Sequence, residues 1–433
     1  MSILKRISQS QLVRGSFLIF LANNAASFGN FLYNLSMGRL LTPDAFGDLG
    51  AILSILVLLS VPLSVFQLLI VKIVSAYWGG NKTGSINLLL RSLTPKLFLI
   101  GFLITGMMVL ISPRLSIFLK LDNTIPLIVV SLFFILSVST AFNKAILQGT
   151  LSFSYLATNG FIEVILKLMV AIVLAILNFG LIGALMGPLL GNIGGYLLTV
   201  FQIRILLKND TIEKDSRKPN WLVLKTTLPV FLTTLTVTLF ITADIILVKH
   251  FFPDSIAGEY MALSTVGKII FYAVGPIISV MFPLISSRAE SGTPYILPLL
   301  GTLVMALGIS SILIFIYFLF PGLILGILYG SKYNGAIPYM GIFSFFVTLF
   351  TINSILTHFL LSVSYYRPIY ILFVISLFQS IFIFFIHNSI TSVIWINIFV
   401  SLLYLFIVSF FVWQKEKVLL KRILIQNILK NVI

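Results

Sequence analysis

The sequence predicts an all-α polytopic membrane protein of about twelve transmembrane helices, arranged as two parallel six-helix repeats that form two lobes around a central cavity. Three observations lead to this prediction: the composition, the distribution of basic residues, and a repeat between the two halves of the chain. Apolar residues make up 59% of the 433 residues and charged residues only 9%. Soluble domains carry about 25% charged residues, so most of this surface must face lipid.

Apolar segments long enough to cross a bilayer alternate with short breaks rich in Gly, Pro, Asn and Asp. The longest polar segment, 208–220, is predicted to be a cytoplasmic linker between an N-terminal lobe at 16–207 and a C-terminal lobe at 221–413. Residues 1–15 are predicted to be a cytoplasmic segment, and 414–433 a basic amphipathic cytoplasmic tail. The spans are expected at roughly 16–41, 46–77, 94–112, 124–149, 154–178, 181–206, 222–251, 257–287, 295–320, 334–362, 368–387 and 391–413.

The basic residues indicate the orientation of these spans. With the N-terminus inside, most Lys and Arg fall on the cytoplasmic side, and the outer side collects only Arg39, Arg114, Lys120, Lys249 and Lys332. This asymmetry predicts a multi-pass protein of the cytoplasmic membrane with both termini in the cytoplasm. The formal net charge of +16 therefore reflects topology and does not indicate nucleic-acid binding.

Polar residues of the first half recur in the second half at a nearly constant offset. Pro43-Asp44 is echoed by Pro253-Asp254, and Arg39 corresponds to Lys249. Farther along, Asn143 corresponds to Asn353 and Gln148 to His358. Because six spans per repeat is an even number, both halves keep the same orientation, which predicts an axis along the membrane normal.

The composition argues against enzyme or metal chemistry. There is no cysteine, and the three histidines lie far apart in the sequence, so neither a metal site nor a cofactor site is predicted. Paired carboxylates and a nucleophile–base arrangement are not evident, and no outer loop is long. The chain is therefore not expected to be an enzyme.

The opening residues resemble a known family. A polar first helix with Asn23, Asn30 and Asn34 precedes Gly38-Arg39-Leu40-Leu41-Thr42-Pro43-Asp44-Ala45-Phe46-Gly47, and an apolar span with a mid-helix Pro62 follows. Together with Leu147-Gln148-Gly149 and Gly180-Leu181-Ile182-Gly183-Ala184, this pattern resembles the polysaccharide and O-antigen flippases of the multidrug/oligosaccharidyl-lipid/polysaccharide flippase superfamily.

The resemblance implies a flippase that moves a polyprenyl-(pyro)phosphate-linked oligosaccharide to the outer leaflet by alternating access, for cell-surface polysaccharide synthesis. Its expected partners are the lipid-linked glycan, membrane lipids and other polysaccharide-assembly proteins, without nucleic acid. Two alternatives stay open: an organic-cation extruder of the same superfamily, and a membrane-bound polysaccharide polymerase or ligase.

Ionisable groups inside the bilayer are costly and therefore indicate functional positions. The resemblance implies that helices one, two, seven and eight line the cavity, so a basic site for the head group is expected there. Snorkelling to the nearer interface is the alternative for all of these cations except Lys268, which is expected near mid-depth. The candidate head-group residues are Lys268, Lys72, Lys144, Arg39, Lys249 and Asn34.

A second group of residues is expected in ion coupling or gating. Glu163 and Lys167 are four residues apart on the fifth span and can pair across one helical turn. Asp244 is an acid within a span that could bind a coupling cation, pair with Arg39 or lie near the outer interface. His358 could titrate near neutral pH or could only pack between helices.

Overall fold

The computed structural model describes residues 24–207 and 224–432, which are helical apart from short connections. The predicted segment 1–15 and linker 208–220 lie outside the described residues. The first helix described, α1, occupies 24–40. The helices that follow in the N-terminal half are α2 (Pro43–Gly79), α3 (Thr83–Phe118), α4 (Ile125–Gly149), α5 (Phe153–Ile176) and α6 (Gly180–Leu206). Those of the C-terminal half are α7 (Leu224–Phe251), α8 (Asp254–Gly267), α9 (Ile269–Glu290), α10 (Ile296–Leu319), α11 (Pro321–Tyr329), a 3₁₀ helix (Gly330–Tyr339), α12 (Met340–Ser362), α13 (Arg367–Phe385) and α14 (Ile390–Val432).

The helices begin and end at the breakers that the sequence indicates. Thr42 caps α2 by accepting a hydrogen bond from the Ala45 amide at 3.3 Å, and Pro43 occupies the first turn, where its missing N–H costs nothing. Asn81 and Asn178, in the left-handed region with φ of 55° and 63°, follow the ends of α2 and α5. Local turn chemistry therefore separates the spans.

Eleven helical segments of the described chain are long and apolar enough to cross a membrane. Helix α1 belongs to the first predicted span, which begins before the described residues. Large apolar side chains lie exposed along α3 and α10, including Leu110, which is 82% exposed, and Val304, which is 68% exposed. Such surfaces are stable only against lipid, so the chain is a multi-pass membrane protein.

Two of the predicted spans are interrupted. The eighth, expected as one helix over 257–287, is broken at Lys268 between α8 and α9. The tenth, expected at 334–362, is preceded by α11 and the 3₁₀ helix, which join it into one apolar stretch from Pro321 to Ser362. Backbone groups at membrane depth require partners within the protein, and at the Lys268 break the Val266 carbonyl accepts a hydrogen bond from the Tyr317 hydroxyl at 3.0 Å.

The described chain divides into two compact units. Unit 1 contains the N-terminal half to Thr227 together with Val248–Thr265 and Leu325–Gly335. Unit 2 contains Leu228–Leu247, Val266–Ile324 and the chain from Ala336 onward. The boundaries at 207 and 221 stay a prediction.

Each unit is built around one buried helix, and these two helices are equivalent in the sequence repeat. In unit 1, α4 packs against α2, α3 and α6; in unit 2, α12 packs against α9, α10 and α14. The buried Asn143 amide of α4 donates to the Thr199 hydroxyl of α6 at 3.1 Å. The buried Asn353 amide of α12 donates to the Ser401 carbonyl of α14 at 2.9 Å. The same connection between fourth and sixth spans in both units supports the repeat, because polar side chains inside a bilayer bond across helices.

The last helix, α14, continues without a break from Ile390 to Val432. The basic segment predicted at 414–433 is therefore a continuation of α14, which ends at Val432. The placement of that segment on a membrane surface stays a prediction.

Candidate functional site

Unit 1 contains a cavity of about 540 Å³. It lies among α1, α2, α4, α5 and α6, and apolar residues such as Leu56 and Phe133 form part of its wall. Volumes between about 300 and 1,000 Å³ are typical of small-molecule sites. The cavity combines two cations, one acid and three amides: Lys144, Lys167, Glu163, Asn30, Gln67 and Gln148.

One side of the cavity is formed by an ion pair between α4 and α5. The Lys144 ammonium lies 2.5 Å from Glu163 Oε2, and both side chains are about one-quarter exposed, at 23% and 25%. The sequence predicted that Glu163 would pair with Lys167 on its own helix. The structure gives Glu163 the cation of α4 instead, because the two helices bring Lys144 within hydrogen-bonding distance. Lys167 still interacts electrostatically with Glu163, but its hydrogen bond goes to a different group.

The Lys167 ammonium contacts α1. It donates a hydrogen bond to Asn30 Oδ1 at 2.8 Å and lies 4.0 Å above the ring of Tyr33. A cation over an aromatic face is attracted by the ring quadrupole. The Tyr33 ring is itself fixed, because its buried hydroxyl donates to the carbonyl of Ala184 at 2.9 Å. Lys167 is thus positioned by neutral groups, and its charge is not cancelled by a hydrogen-bonded carboxylate.

Two glutamines complete the polar wall. The Gln67 amide of α2 donates to Gln148 Oε1 of α4 at 3.3 Å. Amides offer donors and acceptors together, which suits sugar hydroxyls and phosphate oxygens equally. With two lysines and one glutamate, the lining carries one net positive charge when all three groups are ionised.

A row of glycines on α6 determines how closely α5 approaches it. A Cβ on Gly187 would lie 2.6 Å from the Lys167 carbonyl oxygen, and one on Gly191 would lie 2.8 Å from the Glu163 carbonyl oxygen. Small residues at four-residue spacing let membrane helices pack backbone to backbone. The glycine ladder, which we define as Gly183, Gly187, Gly191 and Gly195, therefore holds the two charged residues of α5 against a rigid wall.

A second ionic cluster lies at one end of unit 1. The Lys249 side chain is 1% exposed, and its ammonium forms ion pairs with Asp48 of α2 and Asp254 of α8. Two carboxylates compensate one buried cation, which makes the burial tolerable. Lys249, predicted as a head-group ligand, is thus already engaged by residues of both repeats.

Arg39, a residue of the first repeat, binds backbone groups of the second repeat. Its guanidinium donates to the carbonyl oxygens of Leu328, at 2.5 Å, and Ile327, in the last turn of α11, where carbonyls lack helical partners. Lys332 returns the contact by donating to the carbonyl oxygens of Arg39 at 2.7 Å and Leu41 at 3.2 Å. Arg39 and Lys249, which correspond in the repeat, therefore both connect the first repeat to the second.

Unit 2 contains a buried polar network at the break between α8 and α9. The Lys268 ammonium donates to the Ile241 carbonyl of α7 at 2.6 Å and interacts electrostatically with Asp244, whose side chain is fully buried. Asn397 of α14 donates to Asp244 Oδ2 at 3.5 Å, and Gln379 of α13 donates to Asn397 Oδ1 at 2.9 Å. Asp244, which was predicted to take part in cation coupling, thus interacts with Lys268 of the same unit.

The remaining predicted residues lie apart from these clusters. Asn34 donates to the Asn30 carbonyl one turn earlier, at 3.1 Å. Lys72 is exposed on α2 and does not line the cavity. His358 Nδ1 forms a hydrogen bond with the Ser354 carbonyl of its own helix at 2.7 Å.

The structure thus brings three of the predicted residues, Lys144, Glu163 and Lys167, into one cavity. The clusters also include residues that sequence reasoning did not select: Gln67, Asp48, Gln379 and Asn397. The sequence could have marked them as candidates, because each is a polar side chain within an apolar span. A single sequence does not show which helices such residues join.

Solved structures of transporters share this fold. An inward-facing multidrug resistance MATE family transporter of the MOP superfamily is 16% identical, with 92% of this chain and 99% of that chain covered and a TM-score of 0.69. An outward-facing form of such a transporter is 15% identical over 93% of this chain and 96% of that one, with a TM-score of 0.66. A MOP superfamily transporter from Pyrococcus furiosus, whose reversed pocket polarity suggests a different function, is 16% identical over 93% and 95%, also with a TM-score of 0.66. These likenesses confirm the predicted all-α, two-lobed membrane fold.

Among curated proteins, none matches the chain. A family model described as polysaccharide biosynthesis protein matches residues 36–338, which span α2 to α11 and most of the chain. Family and fold together indicate a transporter or flippase of this superfamily. The family predicted from the opening residues is confirmed: the chain belongs to the polysaccharide biosynthesis protein family.

Proposed function

We propose that the protein is a flippase that moves a polyprenyl-(pyro)phosphate-linked oligosaccharide from the cytoplasmic to the outer leaflet by alternating access, for cell-surface polysaccharide synthesis. The observation that carries this proposal is the composition of the cavity in unit 1. Lys144, Lys167 and three amides line it around a single glutamate. A net positive, amide-rich cavity suits an anionic group attached to sugars.

Electrostatics favour an anion over an organic cation in this cavity. Removing a phosphate from water is costly, and a cation at hydrogen-bonding distance offsets that cost. Lys167 suits this role because its hydrogen-bond partner is the neutral Asn30. An organic cation would meet two ammonium groups and one carboxylate that Lys144 already engages. The cavity therefore supports the flippase proposal better than the multidrug alternative.

The membrane potential favours the proposed direction. Moving one elementary charge across 100 mV changes its free energy by about 2.3 kcal/mol. With a negative interior, an anionic head group is driven outward. The proposed reaction thus needs no cation gradient, although it does not exclude one.

The test is a flipping assay in proteoliposomes. A fluorescent polyprenyl-diphosphate-linked glycan is loaded into both leaflets, and its accessibility to an external lectin or quencher is followed over time. We expect rapid exchange with the wild-type protein and at least a tenfold slower rate with Lys167→Gln. The matched control is Lys96→Gln, which removes an exposed cation of α3 outside the cavity and should leave the rate unchanged.

An organic-cation efflux assay in the same vesicles separates the two transport classes. Cation efflux without glycan movement would transfer the protein to the multidrug class. Equal glycan flipping rates for the wild type and Lys167→Gln would show that the cavity does not bind the transported head group. Incorporation of new sugar into a longer glycan would instead support the polymerase alternative.

A further inference from the structure

A second cavity in unit 1, of about 600 Å³, lies among α3, α4 and α6. It is separate from the cavity described above, and the two share no lining residue. We call it the arginine groove, because Arg91 of α3 and Arg204 of α6 both line it. Asn143 of α4 and Tyr196 of α6 also line it.

The charge of the arginine groove is one-sided. Two guanidinium groups line it and no carboxylate does. Both arginines are exposed, and within the described residues neither forms an ion pair. Helix α6 ends at Leu206, so Arg204 can interact with the carbonyls of its last turn, but that role does not require Arg91. Two planar forks with free donors at one cavity are the usual pattern for binding a phosphate.

The walls of the groove are fixed by packing. The ring of Tyr196 meets that of Phe98 edge to face, with centroids 5.7 Å apart, and so connects α6 to α3. Asn143 of α4 is held by its bond to Thr199. Two side chains of the groove wall, Tyr196 and Asn143, are therefore held by partners within unit 1.

The two helices that carry the arginines present apolar surfaces to lipid. On α3, Leu88 and Leu99 are 43% and 60% exposed, and on α6, Leu197 and Phe201 are 62% and 61% exposed. A ligand bound at the arginines thus has lipid-facing side chains on both helices beside it. This arrangement fits a molecule with an anionic head and acyl chains.

We propose that the arginine groove binds the phosphate of an anionic membrane phospholipid, with the acyl chains lying along α3 and α6. Basic pockets between transmembrane helices at the cytoplasmic face are typical sites for anionic lipid head groups. Arg91 and Arg204 lie at the end of the helices that the positive-inside pattern predicts to be cytoplasmic. This lipid is distinct from the transported one, because the groove is separate from the proposed substrate cavity.

The test measures lipid binding to the purified full-length protein. Native mass spectrometry and thermal unfolding are recorded while phosphatidylglycerol, phosphatidylcholine or inorganic phosphate is added to delipidated protein in detergent. We expect retained phosphatidylglycerol and a raised Tm for the wild type, about tenfold weaker binding for Arg91→Gln/Arg204→Gln, and partial recovery for Arg91→Lys/Arg204→Lys.

The matched control is Lys96→Gln/Arg114→Gln, which removes two exposed cations of α3 outside the groove. It should bind phosphatidylglycerol like the wild type. An equal loss in this control would assign the effect to bulk charge and overturn the proposal. Unchanged binding in the Arg91→Gln/Arg204→Gln variant would overturn it too. If inorganic phosphate alone stabilised the protein as strongly as phosphatidylglycerol does, the groove would be a site for a free anion and the lipid proposal would be overturned.

Discussion

Gly47 of α2 and Gly258 of α8 lie against each other within unit 1. A Cβ on Gly47 would be 2.8 Å from the backbone nitrogen of Gly258, and a Cβ on Gly258 would overlap the carbonyl oxygen of Pro43. The start of α2 and the start of α8 therefore touch backbone to backbone. The ionic cluster of Lys249, Asp48 and Asp254 is built from the same two helix starts and the end of α7.

This contact predicts a large effect from a small substitution. Gly258→Ala should destabilise unit 1 by about 1–3 kcal/mol, the usual cost of overpacking, because the obstructing atom belongs to the backbone and cannot rotate away. The matched control is Gly301→Ala in α10, where a Cβ meets nothing within 4 Å. That control should be neutral or slightly stabilising, since alanine favours helix. Thermal unfolding in detergent measures both, and equal Tm values would contradict the close contact.

The Lys249 cluster predicts a charge-specific loss of stability. Lys249→Met leaves two carboxylates without their cation, so the free energy of unfolding should fall by about 3 kcal/mol, as expected when one partner of a buried pair is removed. Asp254→Asn should cost less, because Asp254 is 44% exposed and Lys249 keeps Asp48. Adding Asp48→Asn and Asp254→Asn to Lys249→Met should restore part of the loss. Chemical denaturation of the wild type and these three variants in one detergent provides the comparison, and a triple variant no more stable than Lys249→Met would refute the cluster.

The network in unit 2 separates a structural role of Asp244 from an ion-coupling role. Lys268→Met should lower the Tm because it leaves the buried Asp244 without its nearby cation, and Lys268→Met/Asp244→Asn should recover much of the difference. If Asp244 instead binds a transported cation, Asp244→Asn alone should abolish any sodium or proton dependence of flipping. Flipping rates measured with and without each ion gradient distinguish the two roles.

The ion pair in the cavity can be reversed without changing the total charge. In Lys144→Glu/Glu163→Lys, the pair should still form, so we expect the Tm to stay within a few degrees of the wild type while the single Lys144→Glu falls clearly below it. Because the swapped cation lies on α5 beside Lys167, the glycan flipping rate should change although stability does not. A rate that follows the Tm across the wild type and both variants would show that the pair is only structural.

The sequence was most informative about the membrane-spanning helices. The composition, the breakers and the basic residues predicted the class and the span count, because each depends on local hydrophobicity or on one side of the membrane. The recurrence of polar residues at a nearly constant offset predicted the repeat. The break at Lys268 was missed, since 257–287 is apolar enough to be read as one helix. Helix α11 was missed because it falls within 321–333, which was read as a connection between two spans.

The partners of the charged residues were less predictable. Glu163 and Lys167 satisfy the i, i+4 spacing, yet Glu163 bonds Lys144 because helix packing outweighs that local geometry. Lys249 and Arg39 were expected to face substrate, and both bind groups of the other repeat. One sequence shows which side chains are costly to bury but not which neighbouring helix compensates them.

The glycine ladder determines where the cavity can change size. Between α5 and α6 no side chain separates the two backbones at Gly187 and Gly191, so no rotamer change can absorb a shift, and the two helices must translate as one piece. Between α4 and α5 the contact is the Lys144–Glu163 pair, whose long side chains can reach over a range of separations. A bulkier ligand would therefore be admitted by an increase in the distance between α4 and α5, while the distance between α5 and α6 stays constant.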